Sequence, residues 1–290
     1  MSVLVLSTDP ANPDLDPKTV ELVKNDIGGQ LNWLHQEVAC EIGDFKAKDA
    51  LETAIDAFAD RRVDVNLVDD PKRRKQLLIA DMDSTMINEE CIDELGDALG
   101  IKQEIAEITE RAMRGELDFE AALDARVKLL KGLPLAKIKE VRREQISYAP
   151  GGRVLVQTMR AYGAYTALVS GGFTLFADYF AKRIGFDEAT ANVLDFEDEI
   201  LTGTVARPIV GQDTKLEKLN SLAKSHELDI SQTMAVGDGA NDLKMIKAAG
   251  MGVAIHAKPV VAAEAKYRFN HSDLTGLLYL QGYPDEDFVR

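Results

Sequence analysis

Hydrophobic and polar positions fall into two regimes along the 290 residues. From Gln76 onward, short unbroken apolar runs recur: LLIA at 77–80, AYTALVS at 164–170, TMAVG at 233–237 and GVAI at 252–255. An unbroken run suits a strand covered on both faces, whereas a strand with one wet face alternates. Helical patterns separate these runs, so the chain predicts an α/β fold with a doubly wound parallel sheet. In such sheets ligands bind beyond the carboxyl ends of the strands. Between Thr85 and Pro150 no strand pattern occurs, and four helical stretches follow one another: ECIDELGDALG, KQEIAEITERAMRG, DFEAALDARVKLLKG and LAKIKEVRREQ. That is more than a parallel crossover requires. It predicts a helical cap inserted at about 86–149 over the strand ends. Residues 186–206 read as an excursion bearing a hairpin.

The first seventy residues follow a different pattern and predict a small α/β domain, 1–70. SVLVL reads as a strand, and DPKTVELVKNDIG as a helix capped by Asp14 or Asp16, with Pro17 in its first turn. LNWLHQEVACEIG reads as one strand. KAKDALETAIDAFADRR carries a helical stripe of Leu51, Ile55 and Phe58, and VDVNLV alternates as a half-exposed strand does. Trp33 is expected in the core of this unit. Pro71 and the basic run Lys72–Lys75 mark the boundary to a second domain, 71–290, and the basic run is expected to be a solvated linker.

Composition narrows the function. Apolar residues make up 46% of the chain, too many for a disordered one. No apolar run approaches the ~20 residues that span a bilayer, and MSVLVLSTDP has no basic segment of the kind that opens a signal peptide. No membrane partner and a cytoplasmic location are expected. A net charge of −15 argues against nucleic acid as a partner, since that needs a basic footprint. Cys40 and Cys91 have no metal-type spacing and read as buried thiols in a reducing compartment. The histidines at 35, 226, 256 and 271 have no ligand spacing and receive no role.

Candidate chemistry sits where the apolar runs end. QLLIADMDSTMIN places Asp81 and Asp83 one residue apart at the exit of the first run. Two carboxylates repel by roughly 4 kcal/mol at ~4 Å and an effective dielectric of about 20. A divalent cation, a shared proton or both must compensate; the plainer alternative is an Asx-capped turn. The second run ends in SGGF (170–173), a hydroxyl followed by glycines that offer backbone amides to an anion. The third ends in GDGAND (237–242), adding Asp238, Asn241 and Asp242. Hard oxygen ligands without His or Cys suit Mg²⁺. Lys215 heads a helix, KLEKLNSLAKS, just before that third run. GxxxxGK[ST] does not occur, so the set suggests phosphate handled by an aspartate nucleophile rather than a P-loop.

DMDST, SGG, Lys215 and GDGAND resemble the four motifs of the haloacid dehalogenase superfamily of phosphatases. DMDSTMINEECIDELG, ITERAMRGELDFEAALDARVKLLKGLP, VSGGF and AVGDGANDLKMIKAAGMGVAIHAKP are similar, within it, to the phosphoserine phosphatase family, over roughly 76–280. The resemblance implies a Mg²⁺-dependent phosphoric monoester hydrolase acting on O-phospho-L-serine, the last step of L-serine biosynthesis. Asp81 would be the nucleophile, and Asp83 the general acid and then base. Mg²⁺ would sit on Asp81, Asp238 and the backbone carbonyl of Asp83, supported by Asn241 and Asp242. Ser170, Gly171 and Lys215 would hold the phosphoryl oxygens, with Asn241 beside the substrate. Glu90 would meet the substrate ammonium, Arg126 its carboxylate, and Met113 and Phe119 its apolar side. Longer members carry an ACT-like amino-terminal domain. The order here is one strand short of that fold, and STDPANPDLDP lacks the glycine of its ligand turn, so dimerisation or packing stands beside effector binding. A homodimer is one expectation. Two alternatives stay open: a phosphotransferase to a hydroxy-amino acid such as homoserine, and a serine sensor with a vestigial phosphatase.

Overall fold

The computed structural model describes residues 2–70, 72–114 and 116–290, apart from the Met113 side chain; Pro71 and the pocket role expected of Met113 lie outside the described residues. The chain forms two main sheets. The first holds β1 (Val3–Ser7), β2 (Gln30–His35), β3 (Ala39–Gly43) and β4 (Asp64–Val68), antiparallel in the order β2-β3-β1-β4. Helices α1 (Pro17–Ile27) and α2 (Ala50–Ala57) complete a βαββαβ unit. Asp16, not Asp14, caps α1, accepting from the Thr19 amide at 3.1 Å. Val20, Val23 and Ile27 of α1 pack with Ala50 and Ala54 of α2 over Leu4, Leu6, Cys40 and Ile42. Trp33 is half-buried against this cluster.

The stretch 31–43 is a hairpin rather than one strand, which supplies the strand that the sequence pattern lacked. Its turn carries no glycine, asparagine or proline; Glu37 itself takes the left-handed conformation, φ 61°. β4 also departs from expectation. Its polar members Asp64 and Asn66 are the buried ones, while Val65 and Leu67 are partly exposed.

The second sheet is parallel throughout, in the order β12-β11-β10-β5-β6-β7. Its strands are β5 (Leu77–Ala80), β6 (Tyr165–Phe173), β7 (Glu188–Asn192), β10 (Thr233–Gly237), β11 (Met251–Ile255) and β12 (Tyr267–Phe269). The four apolar runs form its four inner strands. Helices α7 (Gly152–Ala161), α8 (Thr174–Ile184), α9 (Gln212–Ser225), α10 (Leu243–Ala248), α11 (Pro259–Glu264) and α12 (Gly276–Leu280) accompany it. Between β5 and α7 lie α3 (Cys91–Ala98), α4 (Lys102–Met113), α5 (Phe119–Leu129) and α6 (Leu135–Glu144). After β7 comes a hairpin of β8 (Leu194–Glu197) and β9 (Ile200–Val205). Sequence order runs outward in one direction from β5 and in the other from β10. The crevice between their carboxyl ends is therefore the topological switch point, where ligands bind in open α/β sheets. No described helix is long and apolar enough to cross a membrane.

The two sheets share one core. Val5, Leu34, Val38, Ala39 and Val68 belong to the same buried cluster as Leu78, Ala80, Val236 and Tyr279. The basic run 72–75 is not a solvated linker. Lys75 is 2% exposed, and its ammonium donates to the Ser231 carbonyl at 2.7 Å and to Asp70. Arg73 pairs with Glu41 of β3. Arg74 stacks over Tyr283 at 4.1 Å and pairs with Asp287 at 3.2 Å. Charges on a short connection between two packed units find carboxylates and carbonyls on both sides, so the run fastens the joint.

Candidate active site

The site is built at the exits of β5, β6 and β10. The Asp81 amide donates to the Val236 carbonyl at 3.0 Å, which extends the β5–β10 pairing by one residue and fixes Asp81 at the sheet edge. The chain then turns sharply: the amides of Thr85, Met86 and Ile87 all converge on the Met82 carbonyl, with Ser84 at φ 53°. That turn aims Asp83 at the start of α3, where the Cys91 amide donates to its Oδ1 at 2.8 Å. Helix amino-termini carry unpaired N–H groups suited to a carboxylate. From β6, the Ser170 hydroxyl lies 3.1 Å from Asp83 Oδ2 and receives the Gly172 amide at 2.8 Å. Gly172 must be glycine here, because a Cβ would stand 2.7 Å from Asp83 Oδ2.

Lys215 sits in the first turn of α9, which begins three residues earlier than the sequence pattern indicated. Its side chain is fully buried, with Nζ 2.6 Å from both Asp81 Oδ1 and Asp242 Oδ1. Asp242 Oδ2 accepts from the Gly239 amide at 3.1 Å. Asp238 follows β10 and faces Asp81; Thr85 Oγ1 lies 3.4 Å from its Oδ1 and Lys258 Nζ 3.9 Å from its Oδ2. Asn241 is half-buried in the same turn. Glu90, the residue before α3, accepts from Ser84 Oγ at 2.9 Å.

Electrostatics follow from this crowding. Burial, then Glu90 and Asp81, push Asp83 up to about 7. Burial and Asp81 raise Asp238 to about 6. Burial and Asp81 also lift Asp242 to about 8, against the pull of Lys215. Burial alone would lower the Lys215 ammonium, but Asp242 and Asp81 outweigh it and hold it well above its ordinary value. Lys215 thus stays charged, and the carboxylates around it carry excess negative charge. Oxygens of Asp81, Asp238 and Asp242 lie within 4.8 Å of one another, all buried. A hard divalent cation fits this donor set. Both oxygens of Asp242 already accept from Lys215 and Gly239, so the free ligand positions belong to Asp81 and Asp238, with Asp242 orienting from behind. The Asp83 carboxylate is likewise engaged by Cys91 and Ser170.

Arg126 and Phe119 come from α5. Phe119 is 37% exposed, and its ring lies 3.1 Å from where a Cβ on Gly171 would stand. Arg126 is half-buried and turns its Nε back to the Ala122 carbonyl at 3.2 Å. Burial lowers its pKa, opposed by Asp93, Glu90 and Asp83. Its Nη1 lies 3.5 Å from Thr109 Oγ1, and among the described residues no carboxylate lies within ion-pair distance of the guanidinium, so its charge has no acidic partner. Sequence reasoning missed three contributors: Asn192, Lys258 and the hydroxyl of Thr85. Asn192 is buried and donates to the Gly171 carbonyl at 2.8 Å, fixing the loop that carries Gly171. A lone asparagine at the end of an edge strand gives no pattern by which to find it.

A buried aspartate at the end of β5, a buried lysine of α9 against it and further aspartates after the neighbouring strand β10 define a class of hydrolase. The chain belongs to the haloacid dehalogenase-like hydrolase family, whose model matches residues 78–247. Within that family it is similar to phosphoserine phosphatases. The curated enzyme of Streptococcus thermophilus is 48% identical over 200 residues, 69% of this chain and 93% of the relative. A solved structure of a probable phosphoserine phosphatase from Vibrio cholerae, in unliganded form, covers 99% of this chain and 88% of its own, with 34% identity and a TM-score of 0.78. A phospho-aspartyl intermediate analogue of phosphoserine phosphatase covers 71% of this chain and 98% of its own, with 37% identity and a TM-score of 0.66.

Proposed function

We propose that the chain hydrolyses O-phospho-L-serine to L-serine and phosphate through an aspartyl-phosphate on Asp81, with Mg²⁺ as cofactor, as the last step of L-serine biosynthesis. The observation that carries this reading is the contact of one fully buried lysine with Asp81 and Asp242, beside a second carboxylate, Asp83, that is pushed up to about 7. Asp81 and Asp83 stand in the same crevice with opposite protonation needs, which is what a nucleophile and an acid require.

Asp81 attacks phosphorus, and the ester oxygen leaves as the serine hydroxyl by taking the proton of Asp83. Asp83, now a carboxylate, accepts a proton from water as that water attacks the phosphorus of the aspartyl-phosphate. Phosphate leaves and Asp81 and Asp83 return to their starting forms. Lys215 keeps Asp81 oriented and balances charge on the phosphoryl oxygens together with the Gly171 amide. Asp81, Asp238 and the Asp83 carbonyl would hold Mg²⁺, which would supply charge neutralisation of the phosphoryl group. Asn241 and Asp242 steady this arrangement. Glu90 meets the substrate ammonium and Arg126 its carboxylate, bidentately, while Phe119 closes the apolar side. The cytoplasm is the compartment this reading requires, and two buried free thiols fit it.

A panel of phosphomonoesters with phosphate release as readout tests the reading. Phosphoserine should be turned over best, EDTA should abolish release and Mg²⁺ restore it, and Asp81→Asn should lose at least about 10³-fold in kcat. Full activity of Asp81→Asn, or transfer of the phosphoryl group to added homoserine in preference to water, would overturn it.

A further inference from the structure

The β8–β9 hairpin has no part in the chemistry above, yet its contacts point away from the sheet it interrupts. Residues 132–135, which join α5 to α6, run beside β9 as a third strand. The Gly132 amide donates to the Leu201 carbonyl at 2.8 Å, the Leu201 amide to the Leu133 carbonyl at 3.0 Å, and the Leu135 amide to the Glu199 carbonyl at 2.8 Å. Pro134 and Ile200 face each other in this bridge. Gly203 of β9 lies directly under the end of α5: its φ is 85°, and a Cβ there would stand 2.9 Å from Lys131 Cβ and 3.4 Å from the Lys128 carbonyl. Arg207, just past the hairpin, reaches Asp124 of α5 at 2.5 Å and Glu120 at 3.6 Å. The stem is held differently. Asn192 and Val210, the residues where the excursion leaves and rejoins the core, are tied by the Val210 amide to Asn192 Oδ1 at 2.7 Å, and Asn192 also holds the Gly171 carbonyl.

We propose that the β8–β9 hairpin is a working part of the substrate lid: it moves with α3–α6 as one body and sets the position of α5, the helix that carries Phe119 and Arg126. The geometry requires this partition. Opening the helices while leaving the hairpin on the core would break three backbone hydrogen bonds and strip two carboxylates from Arg207. Swinging the hairpin along keeps these contacts and turns the chain at its stem, near Val193 and Ala206. The stem adjoins the Gly171 loop, so the lid meets the phosphate cradle there. Gly203 is a positioning residue in this scheme, because its missing side chain fixes how low α5 sits. The proposal rests on the functional reading above for its substrate.

A cross-strand disulfide tests it. Pro134 and Ile200 form a narrow, non-hydrogen-bonded pair of the kind whose Cα atoms lie about 4.5 Å apart, inside the range a disulfide tolerates. Both are solvent-exposed. The Pro134→Cys/Ile200→Cys protein should close this bond on mild oxidation, and the oxidised form should hydrolyse phosphoserine within about twofold of the reduced form, since lid motion leaves the pair together. Failure of the pair to close, or a loss of more than about tenfold on oxidation that reductant restores, overturns the proposal. A reduced form inactive on phosphoserine would instead count against the functional reading. Gly203→Val supplies the second measurement. It should raise KM for phosphoserine by about tenfold or more while kcat and the affinity for inorganic phosphate stay within about threefold. An unchanged KM in a folded Gly203→Val protein overturns the positioning role.

Discussion

Asp83, Asp238 and Asp242 each have a carboxyl pKa raised by burial and by neighbouring carboxylates. The folded protein therefore binds more protons than the unfolded chain between about pH 4 and pH 8, and stability falls as pH rises through that window. Lys215 adds no slope there, because its ammonium is charged in both states below its ordinary pKa. Metal-free protein should accordingly melt several degrees lower at pH 8 than at pH 5.5. Mg²⁺ should raise the melting temperature more at pH 8 than at pH 5.5, because the cation replaces the missing protons. Differential scanning fluorimetry with and without EDTA measures both; a melting temperature that rises with pH in EDTA would show that these carboxylates are not strained. The Arg126 guanidinium faces carboxylates without pairing with one, so Arg126→Ala should raise KM for phosphoserine by about 10²-fold, the worth of a lost bidentate contact. Phosphoethanolamine, which lacks the carboxylate, should lose far less in the same steady-state assay.

At the scale of elements, β4 shows how side chains can do the work of a strand edge. Asn66 donates to the Arg268 carbonyl at 3.0 Å and accepts from the Arg268 amide at 2.9 Å, as a neighbouring strand would. Asp64 collects the amides of Asn270 at 2.7 Å and Ser272 at 2.7 Å. Together they cover the exposed edge of β12, which would otherwise invite pairing with another chain. Asn66→Leu leaves the part-buried amide and carbonyl of Arg268 unpaired and should cost about 2–6 kcal/mol by urea denaturation, two groups at about 1–3 kcal/mol each. A loss below about 0.5 kcal/mol would mean that water reaches β12. The same strand shows where sequence reading stops. The inner strands β5, β6, β10 and β11 were legible because burial on both faces leaves an unbroken apolar run. Asp81, Asp83, Asp238 and Lys215 were legible because they stand at the ends of such runs or inside a recognisable motif. β4 was misread because both of its faces are covered, one by helices and one by β12, so a polar residue there is as buried as an apolar one. The hairpin at 31–43 was missed because its turn uses Glu37 in a conformation that glycine or asparagine usually marks. Contacts that join distant segments, such as Asn192 to Gly171 and Val210, leave no periodic trace.

For the whole molecule, the question is whether the first sheet is a separate body or part of one cooperative unit. The contacts favour one unit. Val5, Leu34, Val38, Ala39 and Val68 pack in the cluster that also holds the inner strands, and α12 lies against β1 and β3. His35 Nδ1 meets the Tyr279 hydroxyl at 2.8 Å, and Ser7 meets Ser272 at 2.8 Å in the buried joint. Lys75, Arg73 and Arg74 also fasten the connection, to Asp70 and Ser231, to Glu41 and to Asp287. Each buried Val or Leu side chain in such a joint is worth about 1.5–3 kcal/mol, so the four of them bind the sheets more strongly than thermal fluctuation can separate them. Full-length protein should therefore unfold in a single calorimetric transition. Val38→Asp puts a charge into the joint, 3% exposed in the native chain, and should lower that one transition by about 10 °C, at a cost above about 3 kcal/mol. Protection of the active site by phosphate and Mg²⁺ should fall with it, although Val38 touches no catalytic group. Two resolved transitions, with only the smaller one shifted by the substitution, would instead make the amino-terminal sheet an independent domain. The joint would then be a hinge rather than a shared core.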